Sequence, residues 1–412
     1  MKQQLLHTPE GVRDIYNGEC EKKLYLEEKL HHVLKTYGYH PIQTPSFEFF
    51  DTFGKEVGTT RSKDLYKFFD REGNTLVLRP DITPSIARFT ANYYMEETMP
   101  IRICYKGNTF INTGSLQGRL KENTQLGAEL IGDHTPDADA EMLSMVVECL
   151  QQAGLKEFQI SVGHVGILQG MMEAAGFDDE EKDILRDLIQ NNNFFGVESF
   201  LESRHLDAGL QRLFSVLGTL YESAEQFQEL KKAAVHYPGI YAAMEHLEKL
   251  HSLLLLYGID KYISFELGVI SSYKYYSGII IQGYTYGSGE PIVKGGRYDH
   301  LLKHFGKDAP AVGFVIVIDQ LMAALFRQKI DTPVERLSQL IVYDQAHRED
   351  AVVYARKQRA AGCVVELMLK SETKTEKDYK EYARQNQVAR LQFMCETIYK
   401  EGRTLRFINE NR

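Results

Sequence analysis

The residues able to do chemistry in this sequence fall into a few close sets. Gln125 and Glu129 stand four apart in Thr124–Ile131, a stretch whose alternation reads as a strand, so both side chains emerge on one face. Asp81 and Thr83 sit where Pro84 opens a helix, with Thr83 the expected N-cap. Tyr275 and Tyr276 are adjacent, and Arg119 lies in a glycine-rich connection. Carboxylates and an amide oxygen accept hydrogen bonds from cationic N–H groups, a tyrosine hydroxyl donates or accepts, and a guanidinium takes a carboxylate or another anion. Each also has a plainer reading. Asp81 suits a helix start through the macrodipole. Glu129 could face solvent, the tyrosine pair could be core packing, and Gly295-Gly296-Arg297 could be a tight turn.

Metal chemistry is not expected. His31-His32 and His246/His251 have no carboxylate or Cys at ligand spacing and read as surface or interface residues. The five cysteines (Cys20, Cys104, Cys149, Cys363, Cys395) form no C-x-x-C pair. That pattern argues against zinc and a disulfide framework and suits a reducing cytosol. The chain has 412 residues, 43% hydrophobic and 25% charged, which allows two or three globular domains. No apolar run reaches membrane-span length and no signal peptide is visible, so a cytoplasmic location is expected, with no membrane contact. A formal charge of −9 does not point to nucleic acid.

The elements that must position these residues follow from periodicity. Cys20–Tyr37 reads as a helix on the stripe Leu26, Leu30, Val33, Leu34, stopped by Gly38. Thr75–Leu78, Pro100–Lys106 and Thr124–Ile131 read as strands, with a long loop over Gly107–Asn123. From about 178 to 257 the pattern is helical. Strands return at Ile263–Ile270, Gly278–Tyr286, Pro291–Lys294 and Val312–Ile318. The expected architecture is therefore α+β: an antiparallel sheet flanked by helices and interrupted by a helical insertion, occupying residues 1–325. Residues 326–336 read as a polar linker. Residues 337–412 alternate strand and helix, as in a small α/β domain with a mainly parallel sheet.

This order, with its local motifs, resembles the class II aminoacyl-tRNA synthetases, and the histidyl enzymes in particular. The resemblance rests on Thr8-Pro9-Glu10-Gly11-Val12-Arg13-Asp14-Ile15, on Leu78-Arg79-Pro80-Asp81-Ile82-Thr83, and on Gly118-Arg119-Leu120-Lys121 with Gln125-Leu126-Gly127-Ala128-Glu129. It continues through Tyr275-Tyr276-Ser277-Gly278, Gly295-Gly296-Arg297-Tyr298-Asp299 and Ala311-Val312-Gly313-Phe314. It implies that Asp81, Thr83, Gln125, Glu129, Tyr275 and Tyr276 hold free histidine. It leaves Arg119 as a contact for a carboxylate or another anion. The helix before Pro45 is similar to the family's dimerisation motif, and the tail resembles a shortened anticodon-binding domain.

The departures bear on activity. Where the synthetases carry arginines for ATP and the reacting carboxylate, this chain has Ile111, Gln320 and the Ser271-Ser272-Tyr273-Lys274 stretch, and Thr113 replaces a motif glutamate. A charge-assisted hydrogen bond contributes roughly 1.5–3 kcal/mol. Three lost together would slow adenylation by about three to six orders of magnitude. Amino-acid groups kept while ATP groups are lost resemble one synthetase-like family, the regulatory subunits of ATP phosphoribosyltransferase. That resemblance implies a non-catalytic, histidine-sensing chain without cofactor. It also implies a short-form catalytic partner, a hetero-octamer and a self-dimer through the motif 1-like segment. A divergent synthetase and a catalytically dead tRNA-binding module remain the alternatives, with tRNA binding not expected. For the first, Arg102, Lys106 and Lys121 are the nearby cations.

Overall fold

The computed structural model describes residues 6–54, 60–114, 119–202, 204, 206–217, 220–221, 224–268, 275–333, 338–395 and 407–408. Gly118 and Ser271–Lys274 lie outside these residues, as does most of the end of the expected linker. Two compact units divide the chain, Met1–Thr332 and Pro333–Arg412.

In the first unit, helix α1 (Asn17–Thr36) buries Leu26, Leu30, Val33 and Leu34. It ends at Gly38, whose φ of +83° lets the chain reverse. Strand β1 (His40–Ile42) follows. β2 (Phe47–Phe49), β3 (Lys67–Phe69) and β4 (Thr75–Leu78) then form a small antiparallel sheet in the order β2-β4-β3. Helix α2 (Thr83–Tyr93) begins at Thr83 itself, with Ile82 in the capping position. This corrects the expectation that Thr83 is the cap. The Asp81 carboxylate takes the backbone N–H of Ile82 at 2.7 Å instead, which releases the Thr83 hydroxyl for a longer-range contact.

β5 (Ile101–Phe110) and β6 (Glu122–Ile131) pair antiparallel over all ten residues. The strands reach further than expected, to Phe110 and from Glu122, so the expected loop over Gly107–Asn123 shortens to residues 111–121, of which 115–118 are not among the described residues. Then come α3 (Pro136–Gln152), β7 (Phe158–His164) and α4 (Val165–Ala174). The insertion contains α5 (Asp179–Gln190), α6 (Phe194–Glu202), α7 (Ala208–Ser215), the two-residue strand β8 (Leu220–Tyr221), α8 (Ala224–Ala233) and α9 (Pro238–Tyr257). β9 (Ile263–Glu266), β10 (Ile279–Thr285), β11 (Val293–Arg297), β12 (Ala311–Val317) and α10 (Ile318–Arg327) complete the unit.

The nine-stranded sheet runs β1-β5-β6-β12-β11-β10-β7-β9-β8. It is mainly antiparallel, with parallel pairs at β1–β5 and β7–β9. Alternation along each strand sends side chains to two faces. Leu126, Ala128 and Leu130 join the large core with α1, α3 and α9. Ile131 and Tyr105 point the other way, into a smaller cluster with Ile82, Ile86, Tyr298 and Leu301. The odd-numbered residues of β6, including Gln125 and Glu129, therefore open onto the second face.

Gly295-Gly296-Arg297 is not a turn. The three residues lie inside β11 and pair with Phe314, Gly313 and Val312 of β12. The glycines serve close approach. A Cβ on Gly295 would strike the Gly313 carbonyl, and one on Gly296 would strike the Ile279 carbonyl and the Tyr276 ring.

The second unit contains β13 (Ser338–Tyr343), α11 (Arg348–Ala360), β14 (Val364–Leu369), α12 (Glu376–Gln385), β15 (Arg390–Met394) and β16 (Phe407–Ile408). Its sheet order is β14-β13-β15-β16, parallel except for the last pair. Leu340, Ile341 and Val342 are buried between the two helix layers. Among the described residues, no helix is long and apolar enough to cross a membrane.

Candidate functional site

The residues singled out by type and spacing converge. Asp81, Thr83, Gln125, Glu129, Tyr275, Tyr276 and Arg119 all line one cavity of about 160 Å³ on the second face of the sheet. Part of its floor is without side chains. Gly313 faces Glu129 across β12–β6, and Gly296 faces Gly313 across β11–β12. A Cβ on Gly313 would overlap the Glu129 carboxylate.

Glu129 is 1% exposed and receives three hydroxyls. The Thr83 hydroxyl donates to Oε1 at 2.9 Å, the Tyr105 hydroxyl to Oε1 at 2.8 Å and the Tyr298 hydroxyl to Oε2 at 2.6 Å. These bonds favour the carboxylate form, but burial outweighs them and pushes the group up to about 7. Asp81 is 3% exposed and is also pushed up by burial. Its Oδ2 accepts the Tyr275 hydroxyl at 3.2 Å. Gln125 brings a different signal: its Oε1 is buried without a hydrogen-bond partner. A buried acceptor left unpaired is costly, so this oxygen is available to a donor brought by a ligand.

Ile111, Thr113 and Gln320 line the cavity as well, and none of them carries positive charge. Arg119 forms an ion pair with Glu290 at 2.6 Å on the cavity wall. Arg102 and Lys106, cations near in sequence, are elsewhere: Arg102 is held by Glu141 and Lys106 by Glu27. The stem of Lys121 packs against Gly11. Ser271–Lys274, which carried part of the sequence comparison, falls outside the described residues.

Sequence reasoning missed Tyr105, Tyr298, Lys294 and Glu290. Tyr298 directly follows Gly295-Gly296-Arg297, and that was its available signal. Tyr105 reaches Glu129 because Gly127, its cross-strand neighbour, leaves room for the ring. His246 is corrected too. It has a carboxylate partner, Asp139, 2.6 Å from Nε2 and 107 positions away in sequence. Asp139 also accepts from Arg297 at 2.7 Å, so the buried Arg297–Asp139 pair, with the partly buried His246, ties β11 through α3 to α9. Among the described residues, no group of three or more His, Cys, Asp or Glu side chains is placed to hold a metal ion.

A cavity with two buried carboxylates on a class II synthetase-like sheet defines the broad class, and comparison with known proteins agrees. A model of the histidyl-tRNA synthetase family matches residues 11–321. A histidyl-tRNA synthetase structure from Nostoc superposes with a TM-score of 0.78 at 19% identity over 95% of this chain and 92% of that one, a likeness of fold alone. More similar is a structure from Bacillus halodurans described as an ATP phosphoribosyltransferase regulatory subunit/histidyl-tRNA synthetase. Its TM-score is 0.84 at 30% identity, covering 96% of this chain and 99% of that one. The ATP phosphoribosyltransferase regulatory subunit of Acetivibrio thermocellus is 38% identical over 367 residues, 89% of this chain and 88% of the relative. That of Ruminiclostridium cellulolyticum is 37% identical over 371 residues, 90% and 88% respectively. The chain belongs to the family of ATP phosphoribosyltransferase regulatory subunits, on the histidyl-tRNA synthetase fold.

Proposed function

We propose that this chain is a non-catalytic subunit on which a short-form ATP phosphoribosyltransferase depends for activity, and that it carries histidine feedback to that enzyme in the first step of histidine biosynthesis. Free histidine is the ligand of the cavity, held by Asp81, Thr83, Gln125, Glu129, Tyr275 and Tyr276. The assembly is a cytoplasmic hetero-octamer of four catalytic and four regulatory chains. Its regulatory chains pair through the segment containing α1.

One observation supports the ligand most directly. Two buried carboxylates and an unpaired amide oxygen share a small cavity with tyrosine hydroxyls. An ammonium and an imidazole N–H are the donors such a set accepts. The lack of catalysis is supported by Ile111, Thr113 and Gln320 along the same wall, since adenylate formation relies on fixed positive charge around the phosphates.

The reading is tested by isothermal titration of L-histidine into the purified chain, comparing wild type with Glu129→Gln. Micromolar to millimolar binding by wild type, weakened at least tenfold in the variant, is the expected result. A folded wild type that shows no heat with histidine would sink the stand-alone sensor. Histidine-dependent exchange between ATP and pyrophosphate should be undetectable; measurable exchange would revive a divergent synthetase.

A further inference from the structure

The cavity holds a cation that no motif pointed to. Lys294 lies in β11, opposite Val315 of β12, which in turn lies opposite Gly127 of β6. Its side chain therefore rises from the same face as Glu129, displaced about 7 Å along the strands and two strands, roughly 10 Å, across the sheet. Lys294 is partly buried and lines the cavity. Among the described residues, its ammonium makes no hydrogen bond and no ion pair. Asp81 and Lys294 feel each other's charge across the cavity without joining. Burial pushes the lysine pKa down, against the opposing pull of the Glu290 charge. The other cation on the wall is already committed, because Arg119 holds Glu290 at 2.6 Å.

These placements give the free cavity an anionic end at Asp81 and Glu129 and a cationic point at Lys294. A carboxylate between them would supply the partner that Lys294 lacks. A ligand whose ammonium sits at Asp81 carries its negative group a short way off.

We infer that Lys294 binds the ligand's α-carboxylate, so that the cavity selects a zwitterionic amino acid over the corresponding amine. The inference rests on the reading of the cavity as a histidine site. A buried charge-assisted contact predicts a roughly ten- to hundredfold preference for the carboxylate-bearing ligand.

The experiment is titration of L-histidine and of histamine, which lacks the carboxylate, into the full chain as wild type, Lys294→Met and Lys294→Arg. Methionine keeps the apolar stem and removes the charge. Wild type is expected to prefer histidine over histamine. The Lys294→Met variant should lose that preference by weakening histidine binding alone, and Lys294→Arg should restore part of it. Histamine binding by the methionine variant reports that its cavity is intact. Equal affinities of wild type for the two ligands would overturn the assignment. So would a Lys294→Met variant that keeps the preference, or one that weakens both ligands equally. If wild type binds histidine and Glu129→Gln abolishes it while Lys294→Met does not, the assignment of Lys294 alone fails. A wild type that binds neither ligand overturns the histidine site along with it.

Discussion

Glu129 sits at about 7, so near neutrality roughly half of the molecules carry a proton on this buried carboxyl. The folded value lies above the ordinary 4.5. The resulting stability is therefore fully present below about pH 4.5 and is lost as pH rises through 7. The whole effect is on the order of 3 kcal/mol. Denaturant unfolding of the free chain at pH 5 and pH 8 should show lower stability at pH 8, with Glu129→Gln flattening the difference. A ligand that donates to Glu129 favours the ionised form, so histidine binding near pH 7 should release a proton. Titrations in buffers of different ionisation heat would measure that release, and affinity should fall as the solution is acidified. Some of this was legible beforehand. The four-residue spacing of Gln125 and Glu129 showed a shared face, and Asp81 announced itself at a helix start. Tyr298 had only its place after Gly295-Gly296-Arg297 to mark it, and Tyr105 and Lys294 were not legible, because their roles depend on the register between β5, β6, β11 and β12, which no local pattern encodes.

Among the elements, β12 and α3 carry the sharpest expectations. Gly313→Ala would drive a methyl into the Glu129 carboxylate from the floor. Overpacking of this kind costs about 1–3 kcal/mol, and here it should also abolish histidine binding, readable by unfolding and titration of the same sample. Asp139 is 0% exposed and accepts from both Arg297 and His246. Asp139→Ala leaves the buried Arg297 guanidinium without its counter-charge, for an expected loss of about 3–5 kcal/mol in urea unfolding. Its neighbour His164 accepts the Gly166 N–H at the start of α4 and is pushed down to about 3, chiefly by burial. A histidine depressed in this way contributes stability that is lost as pH falls below 6.5. Alternation correctly marked most strands here. The misreadings came from glycine: Gly295-Gly296 has the composition of a turn but works as a bare stretch of strand, and Gly107 lies within β5 rather than opening a loop. His246 looked unpartnered because Asp139 arrives from another element entirely.

For the molecule as a whole, the division at residues 332/333 separates the cavity from the terminal unit. Every described residue lining the cavity belongs to the first unit. A chain ending at Thr332 keeps every described lining residue, so it should keep its affinity for histidine to within about twofold, and titration of that fragment checks it. The broad architecture was readable because helix and strand periods change at recognisable places: into the helical insertion, out of it, and again into the α/β tail. What composition could not convey is that nine strands separated by so many helices would close into one sheet, since strand order is set by tertiary pairing.

The bare floor of the cavity has a bearing on how this gene can drift. Gly296 and Gly313 hold the space open by having nothing to put in it: a Cβ on Gly313 would strike the Glu129 carboxylate, and one on Gly296 the Tyr276 ring. Almost any missense change at one of these codons would therefore close the cavity in a single step. Reopening it would require the same codon to revert, because no change in a neighbour can remove a side chain that springs from the floor itself. Loss is easy and recovery is narrow, so a lineage released from selection for the ligand should show its history first as substituted glycines, ahead of any change in the carboxylates above them.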